Sequence, residues 1–447
     1  MRKLAFSISM LAFMVAASAR AETLDQALVD AYKQNPTLLA KQAELRATDE
    51  SLAQAMSGYR PILSVDADAG RRKTDGDTSG VSRSETLNPR TAAVTVTQPV
   101  FRGGRTVAAT GLANANIKAG QAELWDTEQA TLLDAVTAYM DVMRDRAVVD
   151  LNLNNQRVLQ RQLEATRDRF SVGELTRTDV AQSESRMERA KAGVITAQGQ
   201  LATSQARFAR IIGRAPSDVM EPPPALSDLP ATREDAITAA KAVNPQYIAA
   251  QFRMQSAKQQ VDLTRGEELP EINLQGQAAS RWDSSRDGDQ VDDVSVLAQL
   301  SFPFYQGGAV MARTRAAKQT ASQRQLEVAA AERNVSEQAG RSFDDLQTAR
   351  ANIEAFNASL RAAEVALDGV RQEQEVGSRT ILDVLDAEQE LLDTKVSLVR
   401  AQRDQVVAAY TVLSAIGKLT AADLKLPVDL YNPDIHLRDT KYRWIGY

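Results

Sequence analysis

The 447-residue sequence contains no cysteine and a single histidine. Without thiols there is no disulfide framework, no thiol chemistry and no cysteine to carry a lipid anchor. His436 alone cannot supply a Ser-His or Cys-His catalytic arrangement or a multi-histidine metal site. It reads as an ordinary surface residue of the C-terminal tail. Beyond the N-terminal leader no apolar run reaches the roughly 18 residues of a helical membrane span, so any membrane crossing falls to strands. The formal net charge is −5, and this acidity argues against a general nucleic-acid binder.

The first residues have the pattern of a secretory signal peptide, over 1–21. Arg2 and Lys3 precede an apolar run at 4–17, and Ala19-Arg20-Ala21 places small residues around a cleavage site after Ala21. Loss of Arg2, Lys3 and Arg20 takes the net charge from −5 to about −8 in the mature chain.

Everything after the leader is organised around residues 375–392, EVGSRTILDVLDAEQELL, which have a fainter copy at 171–188, SVGELTRTDVAQSESRME. Gly377 minus Gly173 is 204, and so is Asp383 minus Asp179. Gly307-Gly308 repeat Gly103-Gly104, and Ile416-Gly417 repeat Ile212-Gly213, at the same offset. Upstream, Asn244-Pro245 against Asn35-Pro36 and Pro270 against Pro61 give 209, so five residues are lost in the second copy between Pro270 and Gly307. This is an internal duplication. Its variable part should be loops, near 71–90 and 281–292. The expected domains are a first repeat at 22–213, a proline-rich linker at 214–231, a second repeat at 232–417 and a tail at 418–447. Linker and tail leave the helices at corresponding points, which suggests an equatorial belt.

Within each repeat the order is helix, strand, strand, long helix, helix. Residues 23–58 carry an apolar stripe through Leu24, Ala27, Leu28, Ala31, Leu38, Leu45 and Leu52, and Pro61 stops that helix. Alternating residues then predict a β-hairpin over 61–100, matched by a second over 270–302, with Pro61 and Pro270 as helix-to-strand prolines. Each strand has the length of a tilted transmembrane strand, although a soluble hairpin has the same signature. The loops 71–90 and 281–292 are polar, and Arg71, Arg72 and Lys73 suit either solvent or anionic headgroups. Strand-to-helix junctions fall at Phe101, Gly103 and Gly104, and at Tyr305, Gly307 and Gly308. Proline-free helices over 105–170 and 309–374 follow, each reaching roughly 100 Å. The second carries a heptad through Leu346, Ile353, Leu360 and Leu367, the spacing of helices wound around neighbours. Gly173 and Gly377 mark the helix-hairpin turns. Two shorter helices stacked end to end would match one long helix in a cylinder wall. Four strands cannot close a barrel, so closure requires several chains.

The exported start, ALxxAxxxNPxL at 27–38, the FRGG and YQGG junctions and above all VGSRTILDVLDAEQELL resemble the TolC family of outer-membrane channel-tunnels, over essentially the whole mature chain. The resemblance implies an α+β membrane protein of the bacterial outer membrane. In it, a long α-helical coiled-coil barrel, the tunnel, continues from a transmembrane β-barrel, is built from two repeats and is closed by trimerisation. It implies a homotrimer in outer-membrane lipid, a periplasmic adaptor (membrane fusion) protein and an inner-membrane ABC or proton-driven transporter as partners. It also implies acidic selectivity rings at the tunnel entrance, at Asp383 and Asp386, and closure of that entrance by Arg379 with Thr178 and Asp179. Read without the resemblance, these acids complement a helix dipole and Arg379 is a solvated charge. Gln374 stands where an aromatic residue often assists closure, a departure from the family pattern. The implied function is the exit duct of a tripartite export machine. With no lipidation cysteine it leans towards type I protein secretion, with multidrug or small-molecule efflux as the alternative. A periplasmic coiled-coil scaffold would explain the heptads but would not need four alternating strands. No enzyme activity, cofactor or metal is expected: the double glycines lack the lysine and spacing of a phosphate loop.

Overall fold

A computed structural model describes residues 21–78, 81–224, 226 and 228–444; the leader residues 1–20 lie outside the described residues. The chain forms two compact units, the first from Met1–Asn35, Leu132–Asp228 and Thr348–Ala409, the second from Pro36–Thr131, Leu229–Gln347 and Tyr410–Tyr447. In chain order the first copy contains α1 (Leu24–Gln34), α2 (Pro36–Met56), β1 (Ile62–Ala69), β2 (Arg72–Thr78), β3 (Val81–Leu87), β4 (Arg90–Arg102), α3 (Arg105–Ser171) and α4 (Arg177–Ile212). The second contains α5 (Arg233–Val243), α6 (Pro245–Arg265), β5 (Glu271–Trp282), β6 (Gln290–Ser301), α7 (Ala309–Glu375) and α8 (Ile381–Ala415), and α9 (Pro433–Lys441) lies in the tail. No helix among the described residues is long and apolar enough to cross a membrane.

The continuous helix expected over 23–58 is broken at Asn35. Pro36 has no N–H to give, and its ring disfavours helical backbone in the residue before it. The break is pinned: in the first unit the Asn35 side-chain amide donates to the Ile211 carbonyl in the last turn of α4, at 3.0 Å. In the second unit Asn244, ahead of Pro245, donates to the Ala415 carbonyl in the last turn of α8, at 2.9 Å. Both asparagines are buried. Duplication has therefore copied a latch as well as a sequence, and it closes each short-helix break onto the return helix of its own repeat.

The second unit holds a four-stranded antiparallel sheet in the order β1-β4-β5-β6. Its register gathers one kind of side chain on each face, because alternate residues of a strand point to opposite sides. Leu63 pairs with Val96 and Val65 with Val94. Val94 continues to Ala278 and Val96 to Gly276, and these to Val294 and Val296. That face is an apolar band crossing all four strands, and its valines stand exposed, with Val296 at 71% and Val294 at 83%. The opposite face carries Ser64, Thr95, Gln277, Ser295 and their neighbours. Apolar on the outside of a barrel and polar within is the pattern of a transmembrane strand set.

Two expectations change here. Residues 71–90 are not an open loop: β2 and β3 form an antiparallel ribbon with Arg72 opposite Leu87 and Asp75 opposite Ser84, and the turn positions 79–80 lie outside the described residues. The antiparallel pairing of β1 with β4 continues outward, through the Gly70 amide donating to the Pro89 carbonyl, into β2 and β3. His436 is not an ordinary surface residue. Its Nδ1 lies 3.0 Å from the Asp49 carboxylate, docking α9 on α2, while Leu437 packs beside Leu52 and Ile117. Burial pushes the Asp49 carboxyl above its ordinary value, and the hydrogen bond with His436 opposes that shift.

At the foot of the sheet, Gly103 and Gly104 have φ of +58° and +74°, and Gly307 and Gly308 have +60° and +79°. A side chain is strained in that region, so the paired glycines let strand turn into helix within two residues. Large exposed aromatics surround these junctions: Tyr59, Phe101, Phe302, Phe304 and Tyr305. The amphipathic rings of Tyr59 and Tyr305, with the phenylalanines beside them, form at the end of the apolar band an aromatic belt of the kind found at a membrane–water interface.

Carboxylates on α3, buried at Asp141 and half-buried at Glu123, tie the helices together. In the first unit Asp141 accepts from Arg144 at 2.9 Å and Arg403 at 2.8 Å. In the second, Glu123 accepts from Lys41 at 2.8 Å and Arg253 at 2.5 Å. The heptad residues Leu346 and Leu367 are buried and Ile353 and Leu360 half-buried, each within its own unit.

Replacing Asn244 by Ala strands the Ala415 carbonyl and should cost about 1–3 kcal/mol of stability, the range for an unsatisfied buried acceptor. Asn244→Asp should cost at least as much, since a carboxylate has no proton to donate. Thermal unfolding of the detergent-solubilised protein checks both, and an Asn244→Asp melting temperature equal to that of the parent would remove the latch from the account.

Candidate functional site

The stretch that organises the sequence folds into the same turn twice, both times in the first unit. After α3, the Gly173 amide donates to the Phe170 carbonyl and the Glu174 amide to the Arg169 carbonyl, each at 3.0 Å. After α7, Gly377 donates to Gln374 at 3.1 Å and Ser378 to Glu373 at 2.9 Å. This is a Schellman closure, with a left-handed glycine, φ +83° at Gly173 and +81° at Gly377, ending each helix. Gln374, the departure noted in the sequence, lends its carbonyl to this closure.

Each turn then launches a helix through a capping box. Thr176 Oγ1 accepts from the Asp179 amide at 3.3 Å, and the Asp179 carboxylate accepts from the Thr176 amide at 2.8 Å. Thr380 and Asp383 repeat this at 3.3 and 2.9 Å. The shared pattern VGxxTxxD is therefore first a way to reverse a helix and start another. Hydrogen bonds from the Thr380 hydroxyl and backbone hold the Asp383 carboxyl below the usual aspartate range, so it keeps its charge into mild acid.

The remaining predicted residues find partners of their own. Arg379 donates to Glu373 at 2.8 Å across its own turn. Thr178 is exposed, and Asp179 is held by Thr176. The structure therefore does not bring Arg379 onto Thr178 or Asp179: a partner in the same turn is reached with less ordering of long side chains than one on another hairpin. Asp386 is paired with Arg186 of α4. Sequence reasoning missed that pair, because a contact between residues 200 apart leaves no local signal. It also missed the capping boxes, although threonine three residues before aspartate announces one. A groove of about 620 Å³ in the same unit runs between α3, α4 and α8, floored by Gly193, Thr196 and Ala197 and flanked by Arg144, Asp393 and Arg400. Among the described residues no group of acids and histidines is arranged to hold a metal ion.

A two-faced sheet with open edges, together with duplicated long-helix hairpins, defines the class of outer-membrane channel-tunnels. The family model described as "Outer membrane efflux protein" matches residues 27–214 and 236–418. Curated relatives include outer membrane efflux protein BepC of Brucella suis, 35% identical over 96% of this chain and 92% of its own. Outer membrane protein TolC of Escherichia coli is 26% identical over 91% of this chain and 84% of its own. Alkaline protease secretion protein AprF of Pseudomonas aeruginosa is 24% identical over 67% of this chain and 63% of its own. Among solved structures, the Campylobacter jejuni CmeC outer membrane channel superposes with a TM-score of 0.81 at 13% identity, covering 94% of this chain and 89% of that one. The chain belongs to the outer membrane efflux protein family, and the resemblance read from its motifs is borne out. It is an outer-membrane efflux channel, located in the outer membrane with its tunnel in the periplasm.

Thr380→Ala removes the cap of α8 and should raise local opening of the 376–383 turn roughly five-fold, the scale of a lost N-cap. Hydrogen exchange at that turn measures it. The Asp383 carboxyl is depressed in the folded state, so its contribution is present above the unfolded aspartate value and disappears as pH falls through the lower folded one. Protection of the turn should therefore hold at neutral pH and fade only in strong acid. Loss of protection between pH ~7 and ~5 would contradict this assignment.

Proposed function

We propose that the chain is the trimeric exit duct of a tripartite export machine, exported by its 1–21 leader and working with a periplasmic adaptor and an inner-membrane transporter. The observation that carries this reading is the open sheet. β1 and β6 each pair on one side only, and in lipid an unpaired strand edge leaves backbone groups that nothing else can satisfy. Three copies joined β6 to β1 supply twelve strands and no edge. The groove between α3, α4 and α8 has the small-residue floor and charged rims that suit a helix of the adaptor. The linker 214–231 and the tail 418–447 serve as the equatorial belt, consistent with the tail's docking through His436.

At the inner end, the carboxylates of Asp383 and Asp386 form the selectivity rings, and Arg379, Thr178 and Asp179 take part in closure. Since Arg379 and Asp179 already hold partners in their own turns, closure through them is an exchange of hydrogen bonds rather than a gain of new ones. That makes the gate cheap to open.

For cargo, the 35% identical relative named for efflux supports small-molecule export. The relative named for alkaline protease secretion supports type I protein secretion as a second reading, the one the cysteine-free sequence leaned towards. Comparing strains with and without the protein decides between them. Greater sensitivity to dyes, detergents and antibiotics with an unchanged extracellular proteome is the efflux result. Loss of one or a few abundant secreted proteins with resistance unchanged is the secretion result.

The barrel assignment has its own test. Val296→Arg places a charge in the apolar band and should cost about 2–4 kcal/mol near the bilayer midplane, whereas Ser295→Arg on the polar face should be tolerated. Heat-modifiable migration of outer-membrane trimers reports assembly. Equal behaviour of the two variants would mean that the exposed valines do not face lipid.

A further inference from the structure

The tail after α8 climbs the second unit towards the foot of the sheet. Its contacts on α3 run in order: the Glu128 carboxylate accepts from the Ala421 amide at 2.7 Å, Gln121 donates to Asp434 at 3.4 Å, and Leu437 packs on the cluster of Ala113 and Ile117. Positions 128 to 113 span roughly 22 Å of helix, directed towards Arg105, where the strands hand over to α3. On α2 the order is the same, with His436 at Asp49 and Leu437 at Leu52. Both ladders point to the membrane end.

Beyond α9 the chain meets Arg60, which stands between the belt residue Tyr59 and Pro61, the residue that leads into β1. The Arg60 guanidinium donates to the Arg443 carbonyl at 2.8 Å and to the Lys441 carbonyl at 3.4 Å, and it lies over the Trp444 ring, 5.0 Å from its centroid. Tyr59 is itself tied to the sheet, its carbonyl accepting from Gln98 of β4 at 3.0 Å. One arginine therefore seats the end of the tail at the level where the strands begin. What it seats is not packed away: Thr440 is buried, but Tyr442 is 68% and Trp444 67% exposed, and Arg443 between them is exposed too. After Asp439 the run to Trp444 contains two basic residues and no acid.

We propose that residues 441–444 are a membrane anchor: the rings of Tyr442 and Trp444 enter the headgroup layer of the periplasmic leaflet beside the aromatic belt, and Lys441 and Arg443 meet phospholipid phosphates. Amphipathic rings alternating with long cations suit that layer, because the ring bodies reach the acyl boundary while the charges stay among the headgroups. The inference rests on the sheet crossing the membrane, which Val296→Arg tests separately. Held on α3 through Glu128 and at the bilayer through its rings, the tail ties the helical body to the membrane by a second route, independent of the strands.

The test is fluorescence quenching of the full chain reconstituted in vesicles of phosphatidylethanolamine and phosphatidylglycerol whose acyl chains carry bromine. The chain has three tryptophans, and Trp125→Phe with Trp282→Phe leaves Trp444 as the reporter. Bromine close to the headgroup should quench Trp444 strongly and bromine near the methyl end much less, while acrylamide in the water should have little effect. Quenching by acrylamide with none by bromolipid would leave the tail in water, and quenching by neither would mean that a neighbouring copy covers it; either result overturns the anchor. If the doubly substituted chain fails to assemble, the difference between the parent and Trp444→Phe reads the same signal. Arg60→Ala removes the seat, and should lower bromolipid quenching of Trp444 while raising quenching by acrylamide. Unchanged values in that variant would overturn the placement of the tail by Arg60.

Discussion

Backbone hydrogen bonding at the two edges of a four-stranded sheet is the constraint on which the rest of this protein depends. Water could satisfy the outer amides and carbonyls of β1 and β6, but the exposed valine band on one face of the same strands places them in lipid. A single chain is therefore chemically unfinished, and every feature of the sheet serves its completion by copies. Twelve- and thirteen-residue strands β4, β5 and β6 give the span. A register without slippage along β5 and β6 keeps Ile272, Leu274, Val294, Val296, Ala298 and Leu300 on one face, since a shift by one residue would turn the valines to the other side. The belt of Tyr59, Phe101, Phe302, Phe304 and Tyr305 then fixes where that span meets water.

Duplication is the economical answer to the same constraint. One repeat supplies one hairpin, and the physical devices that build it are reused with little change: an Asn-Pro break latched by a side-chain amide, a double glycine at positive φ, and a Schellman turn followed by a capping box. These positions tolerate few residue types, because each needs a particular donor or a particular backbone region. Divergence collects elsewhere. One repeat extends its outer connection into the β2–β3 ribbon while the other keeps a short loop over 283–289. At the inner end the copies differ in charge, Arg186 against Glu390 and Asp386 against Gln182. The internal symmetry is thus broken at the strand connections and in the helices after the turns, not at the devices that build the repeat.

Much of this was legible in the sequence because it is periodic or local. The repeat offset, the strand alternation and the positions of Gly103, Gly104, Gly173, Gly307, Gly308 and Gly377 all follow from residues close together in the chain. What could not be read depends on distant partners. Asn35 and Asn244 were visible as repeat markers, but their amides act on carbonyls 176 and 171 residues away. His436 seemed unremarkable for a tail residue until α9 laid it against Asp49. The split at Asn35 was a local signal passed over, since proline after asparagine forecasts a boundary and the apolar stripe through Leu38 and Leu45 disguised it. The β2–β3 ribbon was hidden by composition: polar residues rich in Gly, Ser and Thr suit a loop, and only continuation of the β1–β4 pairing makes them a ribbon.

The different settings of Asp383 and Asp386 follow from these local structures. A carboxylate that accepts from the backbone at a helix start is fixed in place and kept ionised by the same contacts. Asp383 therefore presents a charge of stable position and stable sign, which a mobile side chain on an exposed turn could not do. Asp386, three residues on, sits outside the cap and answers to a partner on another helix instead. Of two acids on one helix face, the first is set by its own turn and the second by the packing of hairpins. A single stretch of sequence thus carries one charge fixed by its own turn and one fixed by a partner on another helix.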